Sequence, residues 1–253
     1  MKKESRVRLD RLLVDRGLAE SRVRAVALIL AGRVELEGVE RPKPGMSVAP
    51  GTAVRVSEPL FPWVSRGGVK LAAALDAFGI DPKGRLCLDV GASTGGFTDV
   101  LLCRSAARVY AVDVGYGQLH ARLRSDPRVV IREKVNARLL SRAEVPEEVS
   151  LVVADLSFIS LALVLPALVP LAAPRSDFVL LVKPQFESER GEVGRGGIVR
   201  DEAVRARAVD RVVAAAKSLG LRPSGVIESP ITGADGNVEF LAWFRAEPAK
   251  IQE

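Results

Sequence analysis

With 253 residues, 48% of them hydrophobic, the chain can form one large domain, or a core domain with a small appendage. Its 37 Lys and Arg against 31 Asp and Glu leave a net charge of +6, which favours an anionic partner, either nucleic acid or an acidic membrane surface. A single histidine excludes sites needing two His ligands and leaves a Ser-His-Asp mechanism only His120, while Cys87 and Cys103 are too few for a zinc knuckle or disulfide framework and read as buried small hydrophobes in a reducing cytoplasm.

The first 60 residues hold 12 basic and 8 acidic side chains, so two thirds of the excess charge lies in a quarter of the chain. A helix is expected over 8–16, with Leu9, Leu12 and Leu13 on one face and Gly17 as its stop. A second helix, capped by Ser21, is expected over 21–31, turning Val23, Val26, Ala27 and Leu30 inward and ending at Gly32. Short strands follow at 33–36 and 54–56, with a turn at Glu37-Gly38 and a gap broken by Pro42, Pro44, Gly45, Pro50 and Gly51. Prolines 59 and 62 forbid regular structure in the next segment. The chain therefore divides into a small α+β domain over 1–57, a linker over 58–64 and a large domain over 65–253.

From there strands and helices alternate. Apolar strands are expected at 86–90, 108–112, 129–132, 151–154, 178–182, 225–228 and 238–244, with helices such as 69–77, 97–103 and 202–219 between them. Near-continuous apolar strands separated by helices indicate an α/β fold with a mostly parallel sheet covered on both faces. The last two strands are joined by turn residues alone (Pro230, Gly233, Gly236), which indicates an antiparallel hairpin at one edge. No apolar run follows the basic N-terminus, so no export signal is expected. The uncharged stretch 156–174 carries Pro166 and Pro170 and reads as a strand end followed by a core helix, not a membrane span.

Residues 86–97, Leu-Cys-Leu-Asp89-Val-Gly91-Ala-Ser93-Thr-Gly95-Gly96-Phe97, are a strand running into a glycine-rich turn and a helix, the ligand end of an open α/β sheet. Ser93 occupies the second glycine position of G-x-G-x-x-G, which disfavours a dinucleotide. Asp113 ends the next strand, where a carboxylate can accept from both ribose hydroxyls of an adenosine ligand, and Asp89 can face that ligand's amino-acid end. Together Asp89, Gly91, Ser93, Gly95, Gly96, Phe97, Asp113 and Asp155 read as an S-adenosylmethionine pocket.

Asp155 and Lys183 each follow a central strand. The chain uses 9 Lys against 28 Arg, so a Lys at such a place suggests an amine that can lose its proton, which Arg cannot do. Lys70 follows Ser65-Arg-Gly-Gly68, and Glu239 is expected to open the last strand. Lys70, Asp155, Lys183 and Glu239 at matching ends of a parallel fold would form a catalytic site. Methyl transfer from a sulfonium to a ribose 2′-hydroxyl needs such groups: an amine to take the proton, a second cation nearby and carboxylates to orient both.

Several runs carry a resemblance. They are Arg8-Leu-Asp10 to Leu18, Ser21-Arg22 and Gly32-Arg-Val34 in the first domain. In the second they are Val64-Ser-Arg-Gly-Gly68-Val-Lys70-Leu71, Asp89 to Phe97, Ala154-Asp155-Leu-Ser-Phe158-Ile, Val182-Lys183-Pro-Gln-Phe186-Glu187, Gly196-Gly-Ile-Val199-Arg-Asp201 and Gly236-Asn-Val-Glu239-Phe-Leu241. The Lys-Pro-Gln-Phe-Glu run is more specific than any glycine pattern. The chain resembles the haemolysin TlyA family of rRNA 2′-O-methyltransferases over nearly its whole length. The resemblance implies an N-terminal RNA-binding domain of the alpha-L fold and a Rossmann-like, FtsJ-type catalytic domain with a Lys-Asp-Lys-Glu tetrad at Lys70, Asp155, Lys183 and Glu239. It implies that Lys183 acts as base or acceptor-activating cation, and that the acceptor is cytidine in ribosomal RNA or ribosomal subunits; the residues themselves lead to the expectation of a cytoplasmic protein with no metal and no membrane partner. RNA contacts are expected from Arg6, Arg8, Arg11, Arg16, Arg22, Arg24, Arg33, Lys43 and Arg66. Leu36-Glu37-Gly38 departs from the family, which usually has Asn before Gly. Two other classes compete. A membrane-active haemolysin is opposed by the lack of an export signal, amphipathic basic helix or clean span. A non-catalytic RNA-binding protein is opposed by the intact loop and tetrad.

Overall fold

Strand β1 (Val7–Arg8) runs directly into α1 (Leu9–Asp15), followed by α2 (Arg22–Leu30), β2 (Val34–Leu36), β3 (Ser47–Val48) and β4 (Val54–Val56). The computed structural model describes residues 6–19, 21–30, 32–57, 61–189, 191–194, 196–233 and 235–247, without the side chains of Val23, Arg24 and Ala27. The chain divides into two compact units, Met1–Pro62 and Trp63–Glu253.

In the first unit β1 pairs antiparallel with β3, and β2 with β4. The β1–β3 pair was not expected, because two-residue strands leave no alternating pattern. Leu9, Leu12 and Leu13 of α1 are buried as expected, together with Ala25, Leu28, Ile29, Val34, Leu36 and Val48. Leu30 is the exception: it was expected inward and is 74% exposed. At 100° per residue Ala25, Leu28 and Ile29 share one stripe and Leu30 falls off it. Val23 and Ala27, also expected inward, lie outside the described side chains, as do residues 58–60 of the expected linker and Ala31 at the end of the second helix.

The second unit continues with α3 (Gly67–Phe78), β5 (Leu86–Val90), α4 (Gly96–Cys103), β6 (Arg108–Asp113), α5 (Ala121–Arg124), β7 (Val129–Glu133), β8 (Val149–Ala154), α6 (Leu161–Leu168), β9 (Ala172–Val182), α7 (Pro184–Glu187), α8 (Glu202–Ser218), β10 (Leu221–Glu228) and β11 (Phe240–Ala246). Seven strands form one sheet in the order β10-β11-β9-β8-β5-β6-β7. Strands β5 to β9 pair in parallel, and β11 and β10 run antiparallel at one edge. Side-chain alternation along the strands builds a core on each face. Val152 and Ala154 meet α6 and α8 on one face, and Leu151 and Val153 meet α3 and α4 on the other. The stretch 156–174 is a loop, then α6 capped by the Ser160 side chain, then a short 3₁₀ turn entering β9.

Trp63 and Val64, read from sequence as linker, belong to the second unit. Trp63 packs against Gly68, where a Cβ would lie 2.7 Å from the Trp63 side chain, and the Val64 N–H donates to Asp99 Oδ2 at 2.8 Å. The succession of strands reverses between β6 and β8, on either side of β5. That is the switch point where an open α/β sheet leaves a crevice at its carboxyl edge.

Candidate active site

Strand β5 ends at Val90, and the chain turns sharply at Gly91 (φ +85°). A Cβ there would lie 2.4 Å from the carbonyl oxygen of Asp155, so only glycine lets this turn approach the end of β8. Ser93 takes a left-handed conformation (φ +48°), and its N–H donates to Asp113 Oδ2 at 2.8 Å, while Gly115 N–H donates to Asp113 Oδ1 at 2.7 Å. At Gly96, which opens α4, a Cβ would lie 2.3 Å from Ser65 Oγ.

Two cavities flank this loop. A cleft of about 440 Å³ is lined by Gly91, Ser93, Asp113, Gln118, Asn136 and Phe158, among others. A pocket of about 300 Å³ is lined by Arg66, Lys70, Gly96, Phe97, Asp155, Lys183 and Glu239, among others. Gly91, Ser93, Asp155 and Ser157 line both, so the cavities share a wall.

All four tetrad positions therefore meet in one pocket. Lys70 Nζ lies 2.5 Å from Glu239 Oε2, and Lys183 Nζ lies 2.6 Å from Asp155 Oδ1. Lys183 also donates to Ser157 Oγ at 2.9 Å. Glu239 sits one residue before β11 instead of opening it. Two residues expected at the ligand line neither cavity. Asp89 is fully buried because strand alternation aims it at α4, where it accepts from Thr98 Oγ1 at 2.6 Å. Burial pushes its carboxyl up to about 7, and its Oδ1 has no partner among the described residues. Gly95 (φ +98°) packs under Leu119 and Leu123 instead of facing a cavity.

Arg66, expected to touch RNA, lines the tetrad pocket and donates to the Thr232 carbonyl. In the first unit Arg8 and Arg22 both bond Asp10, at 2.9 and 3.0 Å. Asp10 is 1% exposed, and these guanidiniums, Arg8 first, hold its carboxyl down at about 2. Arg6 donates to the Ser47 carbonyl, Arg16 to those of Thr52 and Pro50, and Arg11 pairs with Asp15 at 3.7 Å. Lys43 is exposed and Arg33 half-buried, while the Arg24 side chain lies outside the described residues. Cys87 is buried, and burial pushes its thiol up to about 12. Cys103 is exposed, contrary to expectation, because it closes α4 where the helix leaves the core.

Sequence reasoning gave no role to Ser157, Thr98, Gln118 or Phe158. The first two bond site carboxylates and amines through hydroxyls that no spacing announces. Phe158 is 91% exposed at the rim of the cleft, with φ +64°. Among the described residues no group of three or more His, Cys, Asp or Glu could hold a metal ion, and no helix is long and apolar enough to cross a membrane.

The FtsJ-like methyltransferase family matches residues 63–246 and the S4 domain matches residues 7–54. The 16S/23S rRNA (cytidine-2′-O)-methyltransferase TlyA of Mycobacterium tuberculosis is 54% identical over 96% of this chain and 91% of that protein. Hemolysin A of Brachyspira hyodysenteriae is 40% identical over 94% of this chain and 99% of that protein. A solved structure of a haemolysin-named protein from Streptococcus thermophilus is similar at a TM-score of 0.76 with 40% identity, covering 97% of this chain and 90% of that one. With an S4 domain joined to an FtsJ-like methyltransferase domain, and this identity along nearly its whole length, the chain belongs to the TlyA family.

Proposed function

We propose that the protein transfers a methyl group from S-adenosylmethionine to the ribose 2′-hydroxyl of cytidine in ribosomal RNA, free or within ribosomal subunits, in the cytoplasm. One observation carries the reading: Lys70, Asp155, Lys183 and Glu239 converge on a pocket that shares a wall with the cleft behind the glycine loop. The cleft suits the cofactor. Gly91 lines it with bare backbone, and Asp113 stands at the end of β6 with oxygens that can accept from ribose hydroxyls. Bound there, S-adenosylmethionine would supply an electrophilic methyl on a sulfonium.

The chain's own residues then handle the acceptor. Lys183 stands where an amine can take the proton of the 2′-hydroxyl, and Asp155 holds that amine in place. Lys70, fixed by Glu239, brings a second positive charge toward the developing alkoxide. The pocket wall of Ser65, Gly67 and Phe97 limits how the ribose enters. Arginines of the S4 domain hold RNA phosphates. The test is mass spectrometry of rRNA incubated with the purified protein and labelled cofactor. A labelled 2′-O-methylcytidine is expected; label on a base, on another nucleotide or absent overturns the reading.

A further inference from the structure

The Lys-Pro-Gln-Phe-Glu run is the most specific in the chain, yet the mechanism above uses only its first residue. Its last residue, Glu187, is buried, and burial holds its carboxyl above the usual range. Burying a carboxylate costs free energy unless its oxygens are bonded. Here both are: Oε2 accepts from Ser160 Oγ at 2.6 Å, and Oε1 accepts from the Leu161 N–H at 2.7 Å. Leu161 opens α6, whose first N–H groups have no partner within the helix. Glu187 thus holds down the far end of loop 155–160, the loop that carries Asp155 and Ser157.

The near end of the same turn carries Lys183. Helix α7 is a single turn started by Pro184, so residues 183 and 187 fall on one face, four apart. Lys183 reaches Asp155 and Ser157 at one end of the loop, and Glu187 reaches Ser160 and Leu161 at the other. Between them the Phe186 and Phe158 rings lie 5.2 Å apart. The turn is itself anchored to α8, where Arg211 donates to the Glu187 carbonyl at 2.8 Å. The loop needs such holding: Phe158 lies at φ +64°, a conformation that a non-glycine residue keeps only when its surroundings impose it.

We propose that Glu187 is a positioning residue for methyl transfer, clamping loop 155–160 to the Lys183 turn so that Asp155 and Lys183 keep their geometry. The proposal rests on the function given above. A displacement of about 1 Å in a catalytic group can cost about a hundredfold in rate. In the full chain, Glu187→Ala is expected to lower kcat for rRNA methylation by about 10- to 100-fold, with KM for rRNA and the Kd of S-adenosylmethionine within about threefold. Glu187→Gln keeps an acceptor for the Leu161 N–H and is expected to recover most of the rate. Hydrogen exchange of amides 156–161 is read in parallel and is expected to rise at least about tenfold in the Ala variant only.

Unchanged exchange in Glu187→Ala overturns the proposal whatever the activity. So does wild-type turnover, or a rate loss matched by lost cofactor binding that Gln does not rescue. If the wild-type protein does not methylate rRNA, the function reading fails, and the exchange measurement still decides whether Glu187 clamps the loop.

Discussion

The Asp10 cluster of the first unit and the tetrad of the second both bind carboxylates to cations, but they do so at opposite depths. In the first unit Asp10 is buried while its partners Arg8 and Arg22 have side chains 51% and 63% exposed. At the tetrad of the second unit the cations themselves are buried: Lys70 is 7% and Lys183 10% exposed, whereas Arg122 on Asp99 and Arg245 on Asp177 repeat the pattern of Asp10. An exposed guanidinium held by a buried carboxylate is pre-aimed and still free to meet a phosphate on its outer side. A buried lysine can meet only what enters its pocket. On the proposed function the same ion-pair chemistry would serve grip at Asp10 and reaction at the tetrad, with depth as the difference.

The sharpest way to break this contrast is Lys183→Ala. Methyl transfer is expected to fall by about a thousandfold or more, with cofactor affinity within a few-fold by calorimetry. Normal methylation by that variant would remove Lys183 from the reaction. Next is Glu239→Gln, which leaves the Lys70 ammonium buried without its counter-charge. A stability loss of about 3 kcal/mol is expected in denaturant unfolding. A loss under about 1 kcal/mol, the value of a surface pair, would mean that the pocket is wetter than its burial indicates.

Two buried carboxyls, one in each unit, are also expected to answer pH with opposite signs. Asp89 has a raised carboxyl, so its contribution is fully present below about pH 4 and is lost as pH rises through about 7. Asp10 has a lowered one, so its contribution is present above about pH 4 and is lost as pH falls toward about 2. Melting of the whole protein at pH 3, 5 and 8 reads both limbs. Asp89→Asn should reduce the alkaline limb and Asp10→Asn the acid limb, and a limb left unchanged by its substitution takes that residue out of the titration. The smallest effect is at Arg8. Arg8→Ala leaves Arg22 on Asp10 and should lower the salt slope of RNA binding by about one. An unchanged slope would take Arg8 out of the RNA grip.

Much of this was legible in the amino-acid order, for physical reasons. Strands β5, β6, β8 and β9 are buried on both faces, so they read as apolar runs, and whatever polar residue ends such a run stands out. Asp113, Asp155 and Lys183 were visible in that way. What stayed hidden depends on direction rather than kind. Asp89 lies on the same strand as the loop it precedes, but alternation turns it toward Thr98 and away from the cavities. Leu30 and Cys103 are apolar residues at helix ends, where half a turn separates core from solvent. The two-residue strands β1 and β3 pair across 38 residues of sequence or more, which no local pattern can report.

The wall shared by the two cavities has an evolutionary consequence. Gly91, Ser93, Asp155 and Ser157 face both compartments, so a substitution at any of them alters donor and acceptor together. Drift toward a new acceptor would instead run through residues such as Ser65, Arg66, Ala92, Thr94 and Phe97, which line the tetrad pocket and not the cleft. Relatives that modify different nucleotides would then diverge just before α3, within the glycine loop and at the start of α4, while the common wall stays fixed.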